Sequence, residues 1–262
     1  MIQSVQKAMK ILSVLSDAKL ANVPLMEIAE KSGIPKPTCS HILDTLCYDG
    51  YAVRISQSEG YRLGPAVFNL TRYGRYEGKL VALCRPVMKW MERNSHCTAV
   101  LSVIQSGTKF IIDYADTEQN LFYEHPQIKT DDIYRTATGR AILAHMDREE
   151  VKAVYEKIGN PPEGHWDAVT SYETLLTELD KIRDLEIIKS ESTEANGIKL
   201  SIGYACPLFR KNVCIGAIGI AWRLPVDHEK NDAEMDKKIR GILVKGAKEI
   251  QHRLFYEDYN DQ

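Results

Sequence analysis

The side chains best suited to chemistry near the start of the chain form hydrogen bonds; they are not reactive groups. Thr38, Ser40, His41, Asp44 and Thr45 fall on one side of a helical spacing whose other side carries Cys39, Ile42, Leu43 and Leu46. Hydroxyls and an imidazole in such a row suit base edges and phosphates, and Lys36 at its entry suits a phosphate oxygen. Arg54 and Arg62 lie in the two halves of the short alternating stretch that follows. Covalent chemistry has poorer candidates. The six cysteines are Cys39, Cys47, Cys84, Cys97, Cys206 and Cys214. None forms a C-x-x-C pair, and no neighbouring histidines complete a zinc pattern. A cysteine nucleophile needs a base beside it. His96 and Cys97 are adjacent and would face opposite ways on a strand, and Cys206 has no evident partner. The sequence therefore calls for no catalytic residue, no metal and no cofactor. A thiol redox sensor, and more remotely a cysteine-dependent enzyme, stay open as alternatives.

These residues need elements to hold them. Val5, Ala8, Met9, Leu12 and Leu15 recur at helical spacing, which predicts a helix over 4–16 capped by Ser4. Pro24 opens a second short helix carrying Leu25, Ile28 and Ala29, and Ser32-Gly33-Ile34 ends it. Pro35-Lys36-Pro37-Thr38 can only begin a helix, because proline is tolerated in the first turn and not inside. That third helix should end near Asp49-Gly50. Strands over 51–55 and 60–63 then flank a polar turn. Helix, helix, tight turn, helix and hairpin is the order of a winged helix-turn-helix, whose second paired helix lies in the major groove. From the pattern alone, a small helical subdomain with a polar face is the competing reading.

Residues 66–78 read as a linker helix, and Leu80, Leu83, Cys84, Val87, Met88 and Met91 predict a long helix to about residue 95. Strands follow over 98–105 and 109–114 around Ser106-Gly107, a hairpin signal, with a further strand expected at 121–124. Helices are expected over 136–145, 149–157 and 175–185, the last behind a Thr170/Glu173 capping box. Strands over 186–190, 200–209 and 213–222 and a final helix over 232–254 complete the chain. The organisation expected is a DNA-binding module over 1–65, a linker over 66–80 and an α+β domain over 81–262. Apolar residues are 44% and charged residues 27% of the 262, an ordinary globular composition. Residues 1–80 hold 10 Lys and Arg against 7 Asp and Glu, and the remainder 24 against 29. The local excess of positive charge agrees with nucleic-acid contact without demonstrating it. No apolar run approaches the roughly 18 residues of a membrane span, and the first residues lack a signal-peptide pattern, so a cytoplasmic protein is expected.

Several stretches then resemble one family. Ser4-Val5-Gln6-Lys7-Ala8-Met9-Lys10-Ile11-Leu12 is similar to the opening helix of the IclR family of bacterial regulators. Glu27-Ile28-Ala29-Glu30-Lys31-Ser32-Gly33-Ile34-Pro35-Lys36-Pro37-Thr38 resembles its helix, turn and recognition-helix start, and Tyr61-Arg62-Leu63-Gly64 its wing end. Thr136-Ala137-Thr138-Gly139-Arg140-Ala141-Ile142-Leu143-Ala144 resembles the start of its effector-domain helix. Ala205-Cys206-Pro207-Leu208 and Gly216-Ala217-Ile218-Gly219-Ile220 resemble its last strand pair. The resemblance implies an α+β chain: an N-terminal winged helix-turn-helix, a linker helix and a C-terminal GAF-like effector domain with an antiparallel sheet. It implies homodimers, often paired into tetramers, on near-palindromic double-stranded operators. It also implies a small organic effector, commonly an organic or aromatic acid.

Departures from the family pattern bear on specificity. His41 stands where members usually carry an arginine, which grips guanine in a bidentate way that histidine cannot. The resemblance carries Tyr123, Ala137, Thr138, Gly139, Ser190, Glu191, Gly203, Gly219 and Ala221 into the effector site. Ala137 and Thr138 begin a helix whose free amides favour an anion. Gly203 stands for a cysteine, and Gly219 and Ala221 for two serines. These replacements are expected to widen the cavity and strip its polarity, favouring a larger or less polar ligand than a two- or three-carbon acid. Asp131 and Asp132 near the expected pocket mouth would disfavour anions, in conflict with the helix amides.

Overall fold

The computed structural model describes residues 2–16, 22–56, 58–72, 79–116, 129–130, 132–193, 199–225 and 233–260. Tyr123, Asp131 and the strand expected at 121–124 lie outside the described residues. The chain divides into two compact units, Met1–Tyr76 and Glu77–Gln262.

The first unit contains α1 (Gln3–Leu15), α2 (Leu25–Ser32), α3 (Lys36–Tyr48), β1 (Ala52–Ser56), β2 (Gly60–Leu63) and α4 (Ala66–Arg72). Its core joins Ile11 and Leu15 of α1, Ile28 of α2, Cys39, Leu43 and Leu46 of α3, and Val23, Ile34, Ala52 and Tyr61. Gly33 ends α2 in the left-handed conformation at φ 66°, so the chain turns at once into Pro35 and α3. Val23 bridges Tyr61 through reciprocal backbone bonds of 2.7 and 2.9 Å, adding a third short strand to the β1–β2 hairpin. A Cβ on Gly60 would lie 2.2 Å from the Val23 carbonyl oxygen, so this close approach requires glycine.

Two expectations for α1 fail. The helix starts at Gln3 with Ile2 as N-cap and no side-chain cap, so Ser4 does not cap it. Val5 and Met9, expected to face inward, are 52% and 57% exposed. The apolar stripe of α1 is wider than one neighbouring helix can cover. Ile11 and Leu15 take the core contact, and Ile2, Val5 and Met9 form an outer row.

The second unit is a six-stranded antiparallel sheet in the order β5-β4-β3-β8-β7-β6. Its strands are β3 (Thr98–Gln105), β4 (Thr108–Ala115), β5 (Lys129–Thr130), β6 (Ile188–Thr193), β7 (Lys199–Arg210) and β8 (Val213–Pro225). One face packs under α5 (Leu80–Ser95) and α9 (Ala233–Asn260) through Met88, Met91, Leu101, Tyr204, Ile218, Ile220, Ile239 and Leu243. The other face carries α6 (Ala137–Leu143), with α7 (Arg148–Ile158) and α8 (Tyr172–Arg183) packed beyond it. Strand alternation sorts the side chains: Thr98, Val100, Ser102, Ser190, Gly203, Gly219 and Ala221 face α6, and their chain neighbours face α5 and α9.

The box opening α8 is built by Ser171 and Thr174, not by Thr170 and Glu173. Ser171 Oγ accepts the Thr174 amide at 3.3 Å and Thr174 Oγ1 accepts the Ser171 amide at 2.8 Å. Glu173 sits one residue too early to reach back to that amide; its carboxylate accepts the Ser171 hydroxyl at 2.7 Å instead.

α6 rests on backbone. A Cβ on Gly139 would fall 2.1 Å from the Ile133 carbonyl oxygen. Gly139→Ala should therefore push the start of α6 off that segment and destabilise the second unit by about 1–3 kcal/mol. All three tryptophans, Trp90, Trp166 and Trp222, lie in this unit, so urea unfolding followed by tryptophan fluorescence reads the loss directly.

Candidate nucleic-acid interface and effector face

In the first unit α3 presents Lys36, His41, Asp44 and Thr45 to solvent, with Thr38 and Ser40 half-buried at the edge of the same surface. Thr45 Oγ1 donates to the His41 carbonyl at 3.3 Å, so its hydroxyl proton is committed within the helix and its lone pairs remain to accept. Tyr48, seven residues after His41 and 92% exposed, extends this row. The same i+4, i+7 spacing would have found it in the sequence.

The two wing arginines separate. Arg54 pairs across the hairpin with Tyr61 and Arg62 with Val53, so they project from opposite faces. Arg54 lies over the Tyr61 ring at 5.9 Å, and its backbone faces the thiol of Cys47 on α3. Arg54 thus lies on the α3 side of the hairpin, and Arg62 is exposed on the far side.

In the second unit the residues expected at the effector site mostly converge. A Cβ on Gly203 would lie 3.3 Å from Ser190 Oγ and 3.6 Å from Ala137 Cβ. One on Gly219 would lie 2.8 Å from Thr138 Cγ2 and 2.9 Å from the Tyr204 carbonyl oxygen. Ala221 pairs with Gly203 on β7 and with Thr98 on β3, and is half-buried. Thr98 Oγ1 donates to Asp116 Oδ1 at 2.9 Å at that end of the face. Glu191 does not join the group: it alternates to the other side of β6, is exposed, and pairs with Lys189 at 2.6 Å.

Two corrections follow. Gly219 does not widen a cavity, because the Thr138 methyl occupies the space and lets α6 settle on the sheet. Asp132 is not a bare acid either. Its carboxylate is shared between Arg135 and His165 Nδ1, each at 3.2 Å, which removes most of its opposition to an anion.

Sequence reasoning missed Lys109. It lies on β4 opposite Ile104, on the α6 side of the sheet, and is 3% exposed. Its Nζ donates to Thr136 Oγ1 at 2.9 Å, and the same oxygen, as N-cap of α6, accepts the Gly139 amide at 3.2 Å. Lys157 of α7 fixes the approach by donating to the Ser106 and Gly107 carbonyls and to Thr108 Oγ1. A lone lysine in a strand that also carries Thr108 and Asp113 gave no signal for it. Arg140 secures the other side of the α6 start: Nε donates to the Tyr134 carbonyl at 2.7 Å, the guanidinium also reaches the His165 carbonyl, and it stacks on Trp166 at 4.3 Å. The open groove of about 1040 Å³ lined by Pro86, Trp90, Val244 and Lys245 lies on the opposite side, against α5 and α9, away from these residues.

Residues 4–56 match the IclR helix-turn-helix domain model, and residues 77–251 match the model of the IclR C-terminal domain of bacterial transcriptional regulators. The chain belongs to the IclR family. It is 25% identical over 259 residues to the HTH-type transcriptional regulator KdgR of Escherichia coli, covering 98% of this chain and 95% of that protein. Among solved structures it resembles Thermotoga maritima IclR, with TM-score 0.65 and 21% identity over 97% of this chain and 99% of that one. It also resembles an IclR homologue from Microbacterium hydrocarbonoxydans, solved in complex with 4-hydroxybenzoate, with TM-score 0.70 and 17% identity over 97% and 99%. The chain is thus an IclR-type transcriptional regulator with an α+β fold, a helix-turn-helix domain and a C-terminal ligand-binding domain.

Five thiols of this IclR-family chain sit where the thiolate is disfavoured. Burial pushes Cys84 and Cys206 up to about 12 and Cys97 and Cys214 up to about 11, and raises Cys47 as well. Cys97 donates its thiol to the Ser95 carbonyl at 3.5 Å. These surroundings oppose the thiolate that redox or nucleophilic chemistry requires.

Lys109 is lowered from 10.5 to about 8, first by burial, then by Arg135, with Asp132 acting the other way. Between those values the unfolded chain binds more protons than the folded one, so this group adds stability as pH rises from about 8 to about 10.5 and costs it below that window. Lys109→Met, which keeps the stem and removes the charge, should be more stable at pH 7 by up to about 3 kcal/mol. The gap to the unmodified chain should close across the window, as read by urea unfolding at stepped pH.

Proposed function

We propose that the chain is a cytoplasmic homodimeric regulator that reads a near-palindromic double-stranded operator with α3 and changes its DNA affinity when a small organic acid occupies the α6 face of the effector unit. In this reading residues 1–65 bind DNA, 66–80 connect, and 81–262 sense. The observation that carries it is the solvent-facing row of α3 with Arg54 beside it, within a chain of this family. Thr38, Ser40, His41 and Thr45 meet base edges, and Lys36, Arg54 and Arg62 meet phosphates. Tyr48 extends the contact.

Self-association is supported by the outer row of α1. Ile2, Val5 and Met9 are all more than half exposed, and Phe68 and Leu70 of α4 are 72% and 63% exposed. Exposed apolar side chains in such number suit an interface. A second copy of the chain would cover them, bringing two reading helices onto the two halves of a palindrome. Val5→Glu with Met9→Glu should convert the dimer to monomer in sedimentation, with the fold of the unit retained by circular dichroism.

For the effector, 4-hydroxybenzoate is bound in the neighbouring structure, and an aromatic acid is the class we propose for this chain. The five thiols that burial holds above their ordinary range argue against the redox alternative. The reading of DNA is tested by titrating operator and random duplexes at several salt concentrations. His41→Ala should cost about 1 kcal/mol on the operator alone. Arg54→Ala should weaken both duplexes and reduce the log–log salt slope by about one. Equal loss of discrimination in the two variants would overturn these roles.

A further inference from the structure

Lys109 is a buried cation with no charged hydrogen-bond partner among the described residues. An ammonium carries three N–H donors. Among the described residues the hydrogen-bond partner of this one is Thr136 Oγ1, a neutral oxygen already shared with the Gly139 amide. The charged groups around it nearly cancel. Arg135 and Asp132, on the segment before α6, act on Lys109 in opposite senses and are paired to each other, and His165 also holds Asp132. From the sheet, Ile104 and Thr130 flank it across β3 and β5, and neither is charged. A buried cation without a committed counter-ion costs stability, and such a cost persists where function requires the group.

Position gives the function. Lys109 lies on the α6 side of the sheet, as do Ser190, Gly203 and Ala221. It reaches the residue that caps α6, one position before Ala137, which in turn lies against Gly203. We propose that Lys109 is the specificity-determining counter-charge for the effector, selecting a carboxylate over a neutral molecule of the same shape. The proposal rests on the reading of the α6 face as the effector site and adds to it a named residue and a charge requirement. The carboxylate supplies acceptors for the two N–H donors that have no partner among the described residues, and the pair is strengthened by its exclusion from water. The Thr136 hydroxyl, already accepting from Lys109, keeps its own proton to donate to the same anion. This arrangement also removes the conflict in the sequence, where an acidic Asp132 and an anion-favouring helix start were set against each other. Asp132 is occupied by Arg135 and His165, and the net positive group facing the site is Lys109.

The test uses the full chain and two isosteric probes, benzoate and benzamide, titrated by calorimetry at pH 7 into the unmodified protein, Lys109→Met, Lys109→Arg and Gly203→Val. Benzoate should bind the unmodified protein and benzamide should not. Lys109→Met should weaken benzoate by about tenfold or more, Lys109→Arg should restore part of the loss, and Gly203→Val should block binding by filling the space beside Ser190. Circular dichroism and urea unfolding confirm that each variant is folded. If Lys109→Met binds benzoate as the unmodified protein does while Gly203→Val does not, the role of Lys109 is overturned and the α6-face reading stands. If Lys109→Met fails and Gly203→Val binds normally, the anion meets Lys109 outside that face and the α6-face reading falls. No benzoate binding to the unmodified protein, or equal binding of benzamide, overturns the proposal.

Discussion

The sensing half of this molecule depends on how closely α6 approaches the sheet. Side chains usually fill the gap between a helix and the sheet beneath it, but here several of the opposing positions are Gly or Ala. Gly203, Ala205, Ala217 and Gly219 give a floor with little relief, and Ala137 and Ala141 answer from the helix. Gly139 then lets the helix start press against the Ile133 backbone. The result is a short helix held by contact, not by length: seven residues would be marginal alone. Arg140 and the Lys109–Thr136 bond pin its beginning from two sides. The groups expected to meet an effector are therefore held by packing before any ligand arrives.

The DNA-reading half solves a related problem with less material. Its core is small, and its order relies on tight reversals at Gly33 and Gly60 and on the Val23–Tyr61 bridge. That bridge fixes the hairpin against the segment before α2, and the Arg54 backbone faces Cys47 on α3. Wing and reading helix share one support, so the spacing between Arg54 and the exposed row of α3 is a property of the core.

Much of this was legible in the residues. The spacing of Cys39, Leu43 and Leu46 located α3 and its free side, and Pro35 and Gly50 bounded it. Leu80 to Met91 located α5, and Ser106-Gly107 located the β3–β4 turn. What escaped had physical causes. A cap is decided by which hydroxyl meets which amide, and neighbouring Ser, Thr and Glu residues at 170–174 offered two solutions. The outer row of α1 looked inward because periodicity marks an apolar side without saying what covers it. Gly219 looked like lost volume because absence of a side chain reads the same whether a ligand or a helix takes the space. Lys109 was invisible because a lone lysine in a strand gives no pattern; only strand register and burial reveal the side on which it lies.

The same close contact sets which positions can change over evolutionary time. Gly139 faces a backbone oxygen at a distance no side chain tolerates, and its variation would cost the fold itself. Ser190 and Ala221 border open or polar surroundings, and Lys109 reduces stability where it stands. New effector preferences in this lineage should therefore arise through the latter three, while Gly139 stays fixed. The chain thus separates the residues that hold the sensor together from those that can retune it, so a change of chemical taste need not pass through an unfolded intermediate sequence.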